Sequence, residues 1–153
     1  RFVLAMLKIN SNLERLGDFA EGIARFVLAS DEPVLDGDLL EKLRLEEMLT
    51  DVLSMLEITK RALNDESMEE ASTVFVKDNK VDEINAGVAS VLTEYIKEHP
   101  DSTLLALNLV SVFRKLERAG DHITNIAEEI VFYIDAKVLK HSGKIDESYP
   151  KTK

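Results

Sequence analysis

The stretch LERAGDHITNIAEEI, from Leu116 to Ile130, decides how the rest of the chain is interpreted. Its apolar residues recur at helical spacing, yet two of its features work against a helix. Gly120 costs about 1 kcal/mol relative to alanine inside a helix. Glu117 and Asp121 lie four residues apart, so their like charges stack on one face of the helix and repel each other. Because local rules tend to fail at functional positions, the stretch predicts a site carried on a helix.

A second copy of the same pattern lies near the start of the chain, in LERLGDFAEGIA, Leu13 to Ala24. The two copies are 103 residues apart and agree at seven of twelve positions. The acidic pair of this first copy is Glu14 and Asp18. Self-similarity of this kind predicts an internal repeat.

The composition predicts a globular, all-α protein. Apolar residues make up 45% of the 153 residues and charged residues 31%, which is typical of a folded domain. Only 3 prolines and 6 glycines interrupt the helical periodicity. The chain is long enough to bury one core of ordinary size.

The charge balance and the cysteine count narrow the class of protein. A net charge of −10 disfavours nucleic acid and anionic membrane surfaces as partners, because both need basic patches. Without cysteine there are no disulfides and no thiolate metal sites. No apolar run reaches the roughly 18 residues of a membrane span. We therefore expect a cytoplasmic protein with no direct membrane insertion. The chain opens at Arg1 inside an apolar-periodic segment, which suggests a fragment.

The apolar periodicity predicts four long helices. They cover residues 1–29 (helix A), 39–63 (helix B), 68–97 (helix C) and 103–139 (helix D). Residues 30–38 are predicted to be a linker and residues 141–153 a polar tail. Helix B carries an apolar stripe that contains no acidic residue: Leu45, Met48, Leu49, Val52, Leu56, Thr59 and Leu63.

The apolar face of helix A is expected to be covered. Left exposed, it would exceed the apolar patches that soluble monomers usually show. We therefore expect helix A to pack against its own bundle or against another chain. The predicted face consists of Phe2, Met6, Ile9, Leu13, Leu16, Ala20 and Ile23.

Acidic residues interrupt the apolar faces of helices C and D. Asp78 and Asp82 lie in the apolar stripe of helix C, and Glu117 and Asp121 lie at the edge of the buried face of helix D. If the two helices pack antiparallel through these faces, the four carboxylates converge. On the same arc of helix D, Asn125 and Glu128 are further candidate ligands.

Such a cluster needs protons, cations or water. Two carboxylates about 5 Å apart repel by roughly 3 kcal/mol at an effective dielectric constant near 20. Oxygen ligands alone suit hard cations such as magnesium, manganese, calcium or iron. The alternative is that these acidic pairs are solvated surface pairs, which are common on helices.

Other candidate chemistry is sparse. His122 is predicted to point away from the cluster and to be a surface histidine, as are His99 and His141. The sequence contains no Gly-rich phosphate loop, no HExxH motif and no Glu-x-x-His spacing. The residues therefore predict no enzyme.

The repeated LERxGDxxxxIA pattern resembles the signature of the PhoU family. MEEASTVFVKDNKVDEIN (68–85) and ITNIAEEIVFYIDAKVLKHSG (123–143) are similar to further segments of that family. The resemblance implies two similar three-helix bundles. Residues 1–36 would be the last helix of the first repeat plus a linker, residues 37–140 the complete second repeat, and residues 141–153 a flexible tail. The first two helices of repeat one are missing from this sequence.

The resemblance also implies metal sites built from E/DxxxD pairs. Repeat two would supply Asp78, Asp82, Glu117 and Asp121, and repeat one would supply only Glu14 and Asp18. The expected ions are divalent or ferric: iron, manganese, magnesium or zinc.

The function that the resemblance implies is regulation. A PhoU protein is expected to be a negative regulator that links the phosphate ABC transporter ATPase to a sensor histidine kinase. It would be cytoplasmic, peripheral to the inner membrane through these partners, and a homo-oligomer. Two alternatives remain open: a PhoU-like cytosolic domain of a sodium/phosphate cotransporter, and a carboxylate-bridged metal enzyme of the helical-bundle type.

Overall fold

The computed structural model describes residues 2–29 and 36–142, and their side chains except those of residues 29 and 139–142. This part of the chain consists of α-helices and one short 3₁₀ turn, which confirms the all-α prediction. The helices are α1 (Phe2–Ala29), α2 (Gly37–Lys42), α3 (Leu45–Asp65), α4 (Met68–Glu98) and α5 (Thr103–Ser142), with the 3₁₀ turn at Pro100–Ser102. The first part of the predicted linker and most of the predicted tail lie outside the described residues.

Helices α3, α4 and α5 form an up-down-up bundle, as predicted. Three ion pairs show the helix directions: Arg44–Glu83 (3.0 Å) and Arg61–Glu70 (3.9 Å) between α3 and α4, and Glu66–Lys137 (2.6 Å) between α3 and α5. The largest fully buried side chains come from all three helices: Met48, Met55, Val74, Val81, Leu109, Phe113, Ile123 and Ile130. Burial of this apolar surface is the main stabilising term of the bundle.

Helix α1 packs antiparallel against α5, as Lys8–Glu129 near one end and the approach of Gly22 to Lys115 near the other show. The predicted contact with its own bundle is thus confirmed, but the buried face is rotated. Phe19 is buried, whereas Phe2 and Leu13 of the predicted face are 53% and 46% exposed. Because apolar residues occupy most of the circumference of α1, periodicity alone does not determine which side docks.

The opposite side of α1 leaves large apolar side chains in solvent. Val3, Leu7 and Leu28 are each more than 60% exposed. None of the helices in the described residues is long and apolar enough to cross a bilayer.

The prediction of one continuous helix B is wrong, because the chain breaks between α2 and α3. Arg44 adopts the left-handed conformation (φ 57°) just before α3. Its guanidinium binds Glu47 at 2.6 Å and Glu83 at 3.0 Å, which stabilises this uncommon conformation. Helix α2 begins at Gly37 behind the capping Asp36, so Gly37 is helical instead of linker. The break allows α2 to bury Leu39 against the bundle.

The prediction that helix B has no acidic residue on its buried side is also wrong. Asp51 of α3 is only 7% exposed. It faces two α4 ammonium groups, Lys77 Nζ at 3.3 Å and Lys80 Nζ at 3.1 Å. A buried carboxylate requires such partners because desolvation of an isolated charge is costly. The ion pairs of Asp51 therefore link α3 to α4.

Candidate metal centre between helices 4 and 5

Four carboxylates act on one another where α4 crosses α5. Asp78 is half-buried, and its pKa is raised to about 6, first by burial and then by the charges of Asp82, Asp121 and Glu117. Because all three neighbours contribute, the two acidic pairs lie close enough for their charges to interact.

The second half-buried acid of this group is Glu117. Burial raises its pKa first, followed by the charges of Asp121 and Asp82, while Arg118 and Arg114 oppose the rise. Asp82 and Asp121 are exposed. The group therefore has two partly desolvated carboxylates inside and two solvated carboxylates at its rim.

One oxygen of Asp78 lacks a partner. Its Oδ1 is buried and accepts no hydrogen bond from any residue that the structure describes. This oxygen lies against Gly120 of α5, so close that a Cβ at that position would be 2.7 Å from it. A buried acceptor of this kind is costly unless it binds a proton or a cation.

The donor set suits a hard cation. The four side chains offer only carboxylate oxygens, the ligands that magnesium, manganese and ferric iron favour, whereas zinc favours nitrogen and sulfur. In the described part of the chain no three His, Asp or Glu side chains are already arranged as a metal-ligand set. An ion would therefore have to draw the carboxylates together. The unpartnered oxygen and the raised pKa of Asp78 fit such an ion.

Glu14 and Asp18 are not part of this group. Both are exposed on α1. Asn10 Nδ2 donates to Glu14 at 2.9 Å, and Arg15 pairs with Asp18 at 3.4 Å. The structure thus brings together one acidic pair from α4 and one from α5 but leaves the pair on α1 alone.

Asn125 and Glu128 are both exposed and lie beside α1. They line a shallow polar depression together with Lys8, Ser11, Asn12 and Glu129. Neither contributes to the pKa shift of Asp78 or of Glu117. Their role as ligands stays a prediction.

The prediction that His122 is a surface histidine is wrong. Its ring is half-buried between α1 and α5, with Nδ1 2.7 Å from Asn12 Oδ1 and its centroid 5.5 Å from that of Phe19. Burial, and after it the charge of Arg118, lowers the pKa of His122. The helical wheel correctly placed His122 on a different side from Glu117, but α1 covers that side. His99 is exposed, and the side chain of His141 lies outside the described residues.

Comparison with known proteins identifies relatives along most of the chain. A model of the PhoU domain matches residues 45–130. The chain is 29% identical over 140 residues to the phosphate-specific transport system accessory protein PhoU homolog 1 of Thermotoga maritima, covering 92% of this chain and 60% of that protein. It is 32% identical over 152 residues to the PhoU accessory protein of Edwardsiella tarda (95% and 59%) and 30% identical over 149 residues to that of Escherichia coli K12 (94% and 58%). The chain thus spans about 60% of the length of these relatives.

Proposed function

The chain belongs to the PhoU family, and from this membership we propose that it is part of a metal-binding regulatory protein of phosphate uptake and phosphate-starvation signalling. The relatives are named as accessory proteins of a phosphate-specific transport system. The protein would be a negative regulator that links the phosphate ABC transporter ATPase to a sensor histidine kinase. It would act in the cytoplasm, peripheral to the inner membrane through these partners.

The observation that carries the metal-binding part is the unpartnered Oδ1 of Asp78 among three further carboxylates. Asp78, Asp82, Glu117 and Asp121 would hold a divalent or ferric ion. Such an ion would neutralise the group and link α4 to α5. The regulatory action would be by contact, since the long helices offer side-chain surface for docking and the net charge of −10 disfavours DNA as the target.

The regulatory role is tested with the full-length gene. Deleting it should leave phosphate-starvation genes expressed in rich phosphate, because the repressing contact is lost. A tagged copy should restore repression and co-purify the transporter ATPase or the kinase. Normal repression in the deletion strain, with neither partner recovered, would contradict the proposal and favour the cotransporter-domain alternative.

We further propose that residues 1–36 belong to a first repeat whose remaining surface is covered in the assembled protein. The repeated motif and the exposed apolar side of α1 support this.

For the isolated chain we expect a homo-oligomer formed through the exposed apolar side of α1. Light scattering should show a dimer or larger species, and Leu7→Glu with Leu28→Glu should convert it to a monomer. Leu104→Glu, on an equally exposed residue of α5, is the matched control and should not. A monomeric parent at tens of micromolar would rule out assembly through α1.

A further inference from the structure

The two copies of the repeated motif carry a glycine at the same position, and the structure gives these glycines different surroundings. Among the described residues, a Cβ at Gly17 of α1 would meet no atom within 4 Å. A Cβ at Gly120 of α5 would lie 2.7 Å from Asp78 Oδ1, closer than real Cβ atoms come to any heavy atom. Only the glycine of the second copy therefore has a neighbour that a side chain at its position would displace.

The contact is with side chains and not with a neighbouring backbone. After Asp78 Oδ1, the nearest atoms to a Cβ at Gly120 would be Val81 Cγ1 at 3.5 Å and Met55 Cε at 3.7 Å, both at ordinary contact distance. Val81 and Met55 are fully buried. A side chain at residue 120 would therefore overlap only the end of the Asp78 side chain, and that carboxylate would have to move away from Gly120.

We propose that Gly120 is a positioning residue that seats the Asp78 carboxylate against α5, next to Glu117 and Asp121. Because residue 120 has no Cβ, one oxygen of Asp78 can lie buried against α5, beside the other acidic side chains. A larger residue would displace this oxygen from its place against α5. The inference rests on the proposed metal binding, because the seated carboxylate would be the most buried ligand of the ion.

A double-mutant cycle tests the seating itself. In an otherwise unchanged chain, Gly120→Ala should fail to raise the folding equilibrium constant, because displacement of Asp78 Oδ1 by the new methyl group offsets the gain in helix propensity. In the Asp78→Ala background the same change should raise the constant up to about fivefold, since the gain in helix propensity is then unopposed. Gly87→Ala is the matched control, because a Cβ at this exposed position of α4 meets nothing within 4 Å and should stabilise both backgrounds.

Mn²⁺ binding distinguishes a positioning role of Gly120 from a purely structural one. It is measured by the loss of the electron paramagnetic resonance signal of the free ion. Folded Gly120→Ala protein should bind Mn²⁺ at least about tenfold more weakly than the parent, and Gly87→Ala should bind as the parent does. Unchanged Mn²⁺ affinity in Gly120→Ala would overturn the inference. So would an equal rise of the folding equilibrium constant in both backgrounds of the cycle.

The two hypotheses can fail separately. A parent that binds no Mn²⁺ would contradict the proposed metal binding, while a rise of the folding equilibrium constant in the Asp78→Ala background alone would still support the seating of Asp78. If Gly120→Ala does not fold but Asp78→Ala with Gly120→Ala does, the overlap with Asp78 is confirmed directly.

Discussion

Adding Mn²⁺ or Mg²⁺ to the metal-free protein should raise its melting temperature by about 5–10 °C. An ion that binds only the native state stabilises it by roughly 2.7 kcal/mol at a hundredfold excess over Kd, which corresponds to such a shift for a chain of this size. Glu117→Gln with Asp121→Asn should abolish the response, because two of the four carboxylates are lost. Without metal, the same double variant should melt at a higher temperature than the parent, since the repulsion that raises the pKa of Asp78 is relieved.

A pair of changes elsewhere controls for net charge. Glu41→Gln with Glu46→Gln removes the same number of charges from exposed positions on α2 and α3 and should leave the metal response intact. If the Glu117→Gln, Asp121→Asn variant responds to metal as the parent does, the ion binds elsewhere. Equal loss of the response in both variants would show a nonspecific effect of charge.

The sequence predicted the grouping of carboxylates where acidic residues lie within or beside the apolar stripe of a helix. Asp78 and Asp82 interrupt an apolar stripe, and Glu117 and Asp121 lie at the edge of another, so antiparallel packing of the two helices was enough to predict their proximity. A similar signal existed for Asp51, which lies at helical spacing between the buried Met48 and Met55. Asp51 was missed because the predicted stripe was drawn through nearby leucines, and some of these lie at the edge of the core.

Other features depend on tertiary contacts that periodicity does not encode. The break before α3 requires a left-handed Arg44, and its ion pair with Glu83 bridges 39 residues of sequence. The buried side of α1 is selected by the docking of Phe19 on α5, where Arg118 lies 5.0 Å above the ring. Apolar residues on nearly all sides of α1 left that choice undetermined.

The pH dependence of stability should identify Asp78 as the carboxylate that is most costly to ionise. Its pKa is about 6 in the folded protein against an ordinary 3.8, so between these values the native state binds more protons than the unfolded state. Stability therefore falls as pH rises through this window, and the penalty is complete above pH 6. Asp78→Asn removes this penalty. Urea denaturation in chelator-treated buffer should find Asp78→Asn more stable than the parent by about 1–2 kcal/mol at pH 7, since solvent screens part of the penalty, and nearly equal to it near pH 4.

The comparison with the parent matters because other groups titrate in the same range. The lowered pKa of His122 acts in the opposite sense, since the stability that it affects is lost as pH falls through the ordinary value of 6.5. That contribution is common to both proteins and cancels in the difference. Asp101→Asn, an exposed carboxylate in the 3₁₀ turn, should reproduce the parent profile. A constant offset between Asp78→Asn and the parent from pH 4 to pH 7.5 would show that the Asp78 carboxyl titrates normally.

With saturating Mn²⁺, the stability of the parent should no longer fall as pH rises through the pKa of Asp78. A bound cation requires Asp78 to be ionised, so the ion and the proton compete for the same buried oxygen. Stabilisation by the metal should therefore be largest above pH 6 and should fade below it, where protonation already satisfies the carboxyl group. Asp78→Asn should show neither the penalty without metal nor this pH-dependent metal response. Both effects would then have one origin, the Asp78 carboxylate that lies against Gly120.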